Sequence, residues 1–290
     1  MSEGLPRRKP DPVPTIHPVA EYAASGRLAE VYDRTKRALG VPWMGVVAMA
    51  FAHYPTFYDR LWSALEPMVA GPAFAAACAD LRRTAEEEAG KLGPPPIRDR
   101  LIAMGYGEGE LEDIVACNEV FSAGNMPYVL MATLARAMLE GIEWTGQGAS
   151  TPLPASVPEM PRPPLMEVHH ADPETRALYA DLRKTLGLPF VNTDYRAFAR
   201  WPSYFATAWG DLKPVALDAC YQPAVTRVHH RAVSLALSLP NVTGMTPQAL
   251  IDAAAKDADP DQVRDVVRLF QWLLPGLALN VGFLRAQLVR

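Results

Sequence analysis

Apolar positions recur with helical spacing along most of the chain. In residues 26–39, Leu28, Val31, Tyr32 and Leu39 fall on one face and charged residues fall on the other, which is the pattern of an amphipathic helix. The same spacing predicts further helices over residues 46–53, 73–91, 97–104, 110–122 and 126–143, and one beginning at Pro55. No segment shows the two-residue alternation of a strand. The predicted fold class is therefore all-α.

The chain contains an internal repeat. A shift of 147 positions aligns residues 28–67 with 175–214, and eleven of the forty aligned positions are identical, where chance gives roughly two or three. Six prolines fall in residues 146–165, which predicts a linker because proline interrupts helices and inner strands. We predict an N-terminal arm over 1–18, a helical repeat over 19–145, the linker over 146–165 and a second repeat over 166–290. The repeats would pack as a pseudo-dimer.

Composition and charge bear on which partners the protein can bind and on where in the cell it is expected. The 290 residues are 49% hydrophobic, with a net charge of −4, which supports a full core and disfavours nucleic acid as a partner. No uninterrupted apolar run reaches the ~18 residues of a membrane span, and the N-terminus lacks the apolar stretch of a signal peptide. We therefore expect no membrane partner and a cytoplasmic location.

Neither the cysteines nor the histidines predict a metal site. Cys78, Cys117 and Cys220 are far apart, so we expect buried thiols in a reducing compartment. The pairs His169-His170 and His229-His230 are adjacent, and adjacent side chains diverge by about 100° on a helix. No metal and no cofactor are therefore expected.

The two copies differ most at a predicted helix start. The first copy reads Met44-Gly45-Val46-Val47 where the second reads Val191-Asn192-Thr193-Asp194. One interpretation is helix capping, since Asn, Thr and Asp accept hydrogen bonds from free backbone N–H groups there. The other is a catalytic carboxylate on one half only, because a carboxylate in an apolar pocket can act as a general base.

Asn125 shows the opposite asymmetry. Later in the repeat the shift becomes 152 positions, as the match of Gly124 with Gly276 shows. Asn125 then aligns with Leu277, so here the first copy is polar and the second apolar. A capping or turn asparagine beside Gly124 is the simpler interpretation. Paired with Asp194, the Asn125 amide could instead hold a water molecule while the carboxylate removes its proton.

The surrounding positions suggest how a substrate would be held. Trp43 aligns with Phe190. These two aromatic residues either pack in the core or form walls of a pocket. In a pocket, the Trp43 N–H could contact an anionic leaving group. Thr193 and the free N–H groups of the helix start could bind a carboxylate. Helical spacing predicts that Tyr195 and Arg196 lie on an exposed face. Arg196 could pair with a carboxylate, but a solvated arginine is the simpler interpretation.

Several short motifs in this order resemble a known family. The chain resembles the group I 2-haloacid dehalogenases, which act on both enantiomers of 2-haloalkanoic acids. The resemblance covers nearly the whole chain beyond the arm. It rests on the doubled layout and on Val41-Pro42-Trp43, Gly124-Asn125 followed by Pro127-Tyr128, Thr193-Asp194 and Trp201-Pro202.

The resemblance implies an all-α fold with the active site between the repeats, and it implies residue roles. Asp194 falls on the catalytic aspartate, Asn125 on the water-positioning asparagine and Trp43 on a pocket tryptophan. Thr193 falls on a small hydroxyl residue of the pocket. We also expect Tyr195, which follows the catalytic aspartate, to bind substrate.

Two pocket positions depart from the family. Val46 stands where the family has an aromatic residue, and Phe270 stands where it has a tyrosine. These departures bear on substrate size and on rate.

The implied reaction is a direct displacement. A water molecule activated by Asp194 attacks C2, halide leaves, and no ester forms on the enzyme. The partners would be a small halogenated carboxylic acid and water. The resemblance and the arm together predict a homodimer.

Two alternatives stay open at this point. The first is another small-molecule enzyme on an alkylhydroperoxidase-like helical scaffold, whose redox members need a pair of cysteines that this spacing does not provide. The second is a non-catalytic carboxylate-binding homologue, which the departures at Val46 and Phe270 favour.

Overall fold

A computed structural model describes residues 5–148 and 163–289, and residues 149–162 of the predicted linker lie outside this range. The described residues form α-helices, a short 3-10 turn at Glu21–Ala23, and no strand. The predicted all-α class is confirmed. The helices are α1 (Gly26–Leu39), α2 (Val46–Phe51), α3 (Pro55–Val69), α4 (Pro72–Lys91), α5 (Arg98–Ala103), α6 (Glu108–Leu139), α7 (Pro173–Leu186), α8 (Thr193–Phe198), α9 (Pro202–Leu217), α10 (Tyr221–Ser238), α11 (Pro247–Ala254) and α12 (Pro260–Leu288).

Local sequence signals set many of the helix ends. α1 and α7 each have 14 residues and stop at Gly40 and Gly187, whose φ angles are 63° and 68°. Glycine adopts this left-handed conformation without the steric cost of a Cβ atom, so it ends helices readily. Pro55 and Pro202 open α3 and α9, at positions where the missing N–H would have no partner in the helix.

The prediction of two helices over 110–122 and 126–143 is wrong, because α6 runs unbroken from Glu108 to Leu139 with Pro127 inside it. An interior proline removes one backbone hydrogen bond and costs about 3 kcal/mol. Phe121 before this proline and Tyr128 after it are both fully buried. Burial of large side chains on both sides outweighs the local cost, and it places Asn125 in mid-helix rather than at a helix end.

The described helices fall into two compact units. Unit 1 comprises residues 5–81, 124–148 and 229–275, and within it α1, α2 and α11 pack against α3. Unit 2 comprises residues 82–123, 163–228 and 276–289, and within it α7 and α8 pack against α9. Each unit thus draws on both halves of the sequence. The repeat boundaries 19–145 and 166–290 stay a prediction about the sequence and are not the boundaries of these units.

From Leu5 onward the N-terminal arm contacts residues of both sequence halves. Leu5 is buried in an apolar cluster with Ala137 and Val233. The Arg7 Nε–H donates to the Trp272 carbonyl at 2.9 Å, and the guanidinium lies 5.5 Å from the Trp272 ring centroid. All of these contacts are within unit 1.

A buried histidine anchors the arm. His229 Nε2 lies 2.7 Å from the Leu5 carbonyl oxygen, and His229 Nδ1 lies 2.6 Å from Gln271 Nε2. Because a carbonyl only accepts, Nε2 carries the proton, and Nδ1 accepts from the Gln271 amide. The Gln271 carbonyl in turn accepts from Arg136. Burial is the main cause that lowers the His229 pKa to about 4.

This lowered pKa predicts acid sensitivity. The unfolded chain binds a proton at His229 below its ordinary pKa of about 6.5, whereas the folded chain resists protonation until about pH 4. Stability is therefore lost as pH falls between these values, by roughly 3 kcal/mol in total. The free energy of unfolding is measured for the wild type and for His229→Gln at several pH values between 6.5 and 4. The wild type should lose more of it than the variant, and the difference is the contribution of His229. An equal loss of unfolding free energy with falling pH in both proteins would contradict this role of His229.

One described helix, α12, is long and apolar enough to cross a membrane by composition. Of its most apolar 18-residue window, 89% is buried inside the protein. This burial is typical of a core helix.

Candidate active site

The predicted catalytic carboxylate lies in unit 2, at the start of the short helix α8. Asp194 is the second residue of α8 and only 2% exposed, and Thr193 before it is also buried. A charged carboxylate is costly to bury, so such groups are rare outside ion pairs and functional sites. The aligned helix α2 begins with Val46-Val47. A helix start of this kind therefore does not require a carboxylate.

Asn192 precedes α8, but its side chain makes no capping hydrogen bond. Its carbonyl oxygen Oδ1 is buried and has no protein partner. Leaving such an acceptor unsatisfied costs about 1–3 kcal/mol, which is tolerated where a water or ligand completes the bond. Asn192 was not among the predicted site residues, although the alignment with Gly45 already marked it as a polar departure.

The prediction that Tyr195 and Arg196 face solvent is wrong. Tyr195 is 1% exposed, its ring stacks on Phe205 at 6.0 Å, and its hydroxyl accepts from the Asn280 amide at 2.9 Å. The Arg196 side chain is 17% exposed and forms an ion pair with Glu167. Helical spacing assumes one solvated face, but α8 is only six residues long and is enclosed by its neighbours. Tyr195 is accordingly a core residue beside Asp194.

Cys117 lies in the same unit and is close enough to Asp194 to be influenced by its charge. Burial, and secondarily the Asp194 carboxylate, raise the pKa of the Cys117 thiol to about 12. A reactive cysteine requires the opposite shift. Cys117 is buried as predicted, but Cys220 is exposed, and that part of the cysteine prediction is wrong.

The other predicted residues lie in unit 1, where α6 passes close to Trp43. A Cβ atom at Gly124 would lie 2.5 Å from Cη2 of Trp43, so only glycine fits there. The Tyr128 hydroxyl donates to the Trp43 carbonyl at 2.8 Å, and Tyr128 also lies against Gly45. Asn125, next to Gly124, is 5% exposed. Trp43 and the Asn125 backbone thus share one densely packed region.

The two departures from the family pattern belong to the same unit. Val46 begins α2 and is partly exposed. The Phe270 ring is fully buried and meets Phe51 edge to face, with centroids 6.0 Å apart. Phe51 ends α2, so Phe270 supports the helix that carries Val46.

The close approach at Gly124 yields a stability prediction. Gly124→Ala would force Cβ into the Trp43 ring, and we expect a net loss of about 1–3 kcal/mol from overpacking. Gly109→Ala is the matched control on α6, where a Cβ meets nothing within 4 Å and a gain of up to ~1 kcal/mol is expected. Urea denaturation of both variants checks this. Equal stabilisation by both would contradict the packing described for Trp43.

In residues 5–148 and 163–289, no cluster of three or more His, Cys, Asp or Glu side chains has the arrangement of a metal site. The predicted site residues offer a carboxylate from Asp194, an amide from Asn125 and a hydroxyl from Thr193. Such a set can activate and orient a water molecule without a second basic residue.

Comparison with known proteins gives the class. No protein-family model matches the chain. An (R)-2-haloacid dehalogenase of Rhizobium sp. (strain NHG3) is 44% identical, over 82% of this chain and 93% of the relative. An (R)-2-haloacid dehalogenase of Pseudomonas putida is 35% identical, over 95% and 93%. A configuration-inverting 2-haloacid dehalogenase of Pseudomonas sp. (strain 113) is 28% identical, over 72% and 71%.

A solved structure agrees with these relatives. A D-2-haloacid dehalogenase in complex with L-LA superposes with a TM-score of 0.89 at 34% identity, covering 98% of this chain and 99% of that one. The protein is therefore a hydrolase that acts on carbon–halide bonds. Within that class, the chain belongs to the 2-haloacid dehalogenase family.

Proposed function

We propose that the protein hydrolyses 2-haloalkanoic acids to 2-hydroxy acids with inversion at C2, by direct attack of water. The observation that carries this proposal is Asp194, a carboxylate buried at the start of α8 where the aligned helix α2 has valine. The configuration-inverting relative supports the stereochemical part.

In the proposed reaction, Asp194 and Asn125 hold one water molecule. The water oxygen forms a bond to C2 on the side opposite the halogen, and the halide departs with the electron pair of the broken bond. Asp194 takes the proton from the attacking water and later releases it to solvent. Positioning contributes much of the rate, because a bound, aligned water replaces a random encounter.

The remaining site residues would hold the substrate. The Thr193 hydroxyl binds the carboxylate, and the Trp43 N–H meets the departing halide. Val46 and Phe270 form apolar walls, and Tyr195 supports Asp194 from the core. With valine at position 46 the pocket would be wider, which favours substrates longer than two carbons.

The names of the relatives differ in whether they specify one enantiomer of the substrate. The sequence analysis expects both enantiomers to react, as in the group I enzymes. The relatives at 44% and 35% identity are both named (R)-2-haloacid dehalogenases. We therefore propose that both enantiomers fit but that the (R) enantiomer is turned over faster.

Halide release from (R)- and (S)-2-chloropropionate, with chiral analysis of the lactate, tests these points. We expect faster release from the (R) enantiomer and (S)-lactate as its product. If no halide were released from either enantiomer or from any other short 2-haloacid, while a carboxylate bound tightly, the non-catalytic alternative would be favoured. Retention of configuration at C2 would exclude a single displacement.

A single turnover in heavy-oxygen water distinguishes direct attack from an ester route. Direct attack places the label in the product and none in Asp194. An ester on Asp194 would, on hydrolysis at its carbonyl, leave the label in the Asp194 carboxylate.

We also propose a homodimer, from the family resemblance, and a cytoplasmic location, from three cysteines too far apart in sequence to suggest a disulfide framework. Light scattering should give twice the 31.7 kDa chain mass. A single-chain mass at working concentration would rule the dimer out.

A further inference from the structure

A chain of three polar side chains ends at Thr193. Arg196 Nη1 donates to both Glu167 carboxylate oxygens, at 2.8 and 2.7 Å, and Arg196 Nη2 donates to Thr193 Oγ1 at 3.3 Å. The ionised Glu167 fixes the guanidinium and balances its charge. The chain joins a turn before α7 to the first residue of α8, entirely within unit 2.

The backbone in this region is fastened independently of these side chains. The Met166 N–H donates to the Arg196 carbonyl at 2.8 Å. The Tyr179 hydroxyl donates to the Met166 carbonyl, also at 2.8 Å. These two bonds tie the end of α8 to the preceding segment and to α7.

Unit 1 has the same fastening at the positions 147 residues earlier. The Val19 N–H donates to the Met49 carbonyl at 3.0 Å, and the Tyr32 hydroxyl donates to the Val19 carbonyl at 2.8 Å. The polar chain, however, has no counterpart there. The aligned pairs are Glu167 with Ala20, Arg196 with Met49, and Thr193 with Val46.

This comparison separates structure from function. Fastening a short helix of this type requires only the backbone bond and the tyrosine bond, since α2 has both and its aligned positions carry no Arg–Glu pair. The three polar residues occur together only on the half that carries Asp194. The repeat therefore does not need them to fasten the helix, and their place beside Asp194 points to a role in the proposed site.

The chemistry of the bond indicates what the chain does. A guanidinium only donates, so Thr193 Oγ1 must accept from Arg196 and is left with its own proton to donate. Thr193 is the first residue of α8, so no preceding helical turn offers a carbonyl to take that proton. We infer that Arg196 is a positioning residue that, held by Glu167, directs the Thr193 hydroxyl proton toward the carboxylate of the substrate. This inference rests on the proposed function.

The test separates substrate binding from the chemical step. In Arg196→Gln we expect KM for 2-chloropropionate, and Ki for the competitive inhibitor propionate, to rise about five- to tenfold, with kcat changed less than about threefold. Arg227→Gln is the matched control, since Arg227 forms an ion pair with Glu88 in the same unit at 2.6 Å. It should leave KM and Ki unchanged.

A double-mutant cycle tests whether Arg196 acts through Thr193. In a Thr193→Val background, Arg196→Gln should raise KM and Ki less than about twofold, whereas in Thr193→Ser it should retain its full effect. Additive effects in the valine background, or a fall in kcat with KM unchanged, would overturn the inference. If Arg196→Gln does not fold, Glu167→Gln replaces it with the same expected direction.

The outcome is distinguishable from failure of the proposed function. Loss of activity in Asp194→Asn together with an unchanged KM in Arg196→Gln would leave the dehalogenase mechanism intact and remove only the role of Arg196. Full activity in Asp194→Asn would remove both.

Discussion

Replacing Asp194 by asparagine is expected to lower kcat for halide release by about 10²- to 10⁴-fold, the usual contribution of a general base. The amide has nearly the same shape as the carboxylate but cannot take the proton of the attacking water. KM should change little, because Asp194 acts on water and not on the substrate carboxylate. Initial rates of chloride release from 2-chloropropionate measure the effect.

The control for this variant is another carboxylate of unit 2. Asp181 on α7 accepts from the Trp209 N–H and from Lys213. Asp181→Asn should keep activity within about twofold because its side chain is partly exposed. Asp194→Ala serves as a second catalytic variant. If either Asp194 variant kept more than a tenth of the wild-type kcat, Asp194 would not be the base.

Asn125→Leu is expected to reduce kcat by up to about 10²-fold, because a water held by one group instead of two is less often aligned for attack. Leucine is the residue that the alignment gives at this position in the second repeat, Leu277, so the helix should accept it. The loss should be smaller than for Asp194, since the base remains.

Ser122→Ala provides the comparison on the same helix. Ser122 is buried one turn before Asn125 and donates to Glu86 at 2.8 Å, so its loss should lower the unfolding temperature without changing kcat. An unchanged kcat in Asn125→Leu, with a fold as stable as the wild type, would show that Asn125 does not act on the water. Steady-state rates and thermal unfolding of both variants decide the matter.

Much of the fold follows from short-range signals. The helix over 26–39 and the helix start at Pro55 were predictable, because they depend on side-chain spacing and on local backbone conformation. The same reasoning failed at Pro127, where the local signal for a break was strong. Burial of Phe121 and Tyr128 outweighs it, and burial depends on residues distant in sequence.

The candidate site was predictable to the extent that the repeat exposed it. Comparison of the two halves marked Asp194 against Val47 and Asn125 against Leu277, since a polar residue at an otherwise apolar position stands out. It did not reveal that Asn192 leaves a buried oxygen unpaired, or that Arg196 contacts Thr193. Both facts depend on side-chain positions that spacing alone does not set.

The sequence by itself determined the helical class, the approximate bounds of α1 to α5, and the two unlike polar residues that the proposed mechanism uses. Only the tertiary structure decided that Tyr195 is a core residue, that α6 is continuous, that Leu5 of the arm contacts His229 and that Glu167 holds Arg196. The physical reason is range. Helix formation and capping act within a few residues, whereas the bond from His229 to Leu5 joins residues 224 positions apart, and packing alone brings such groups together.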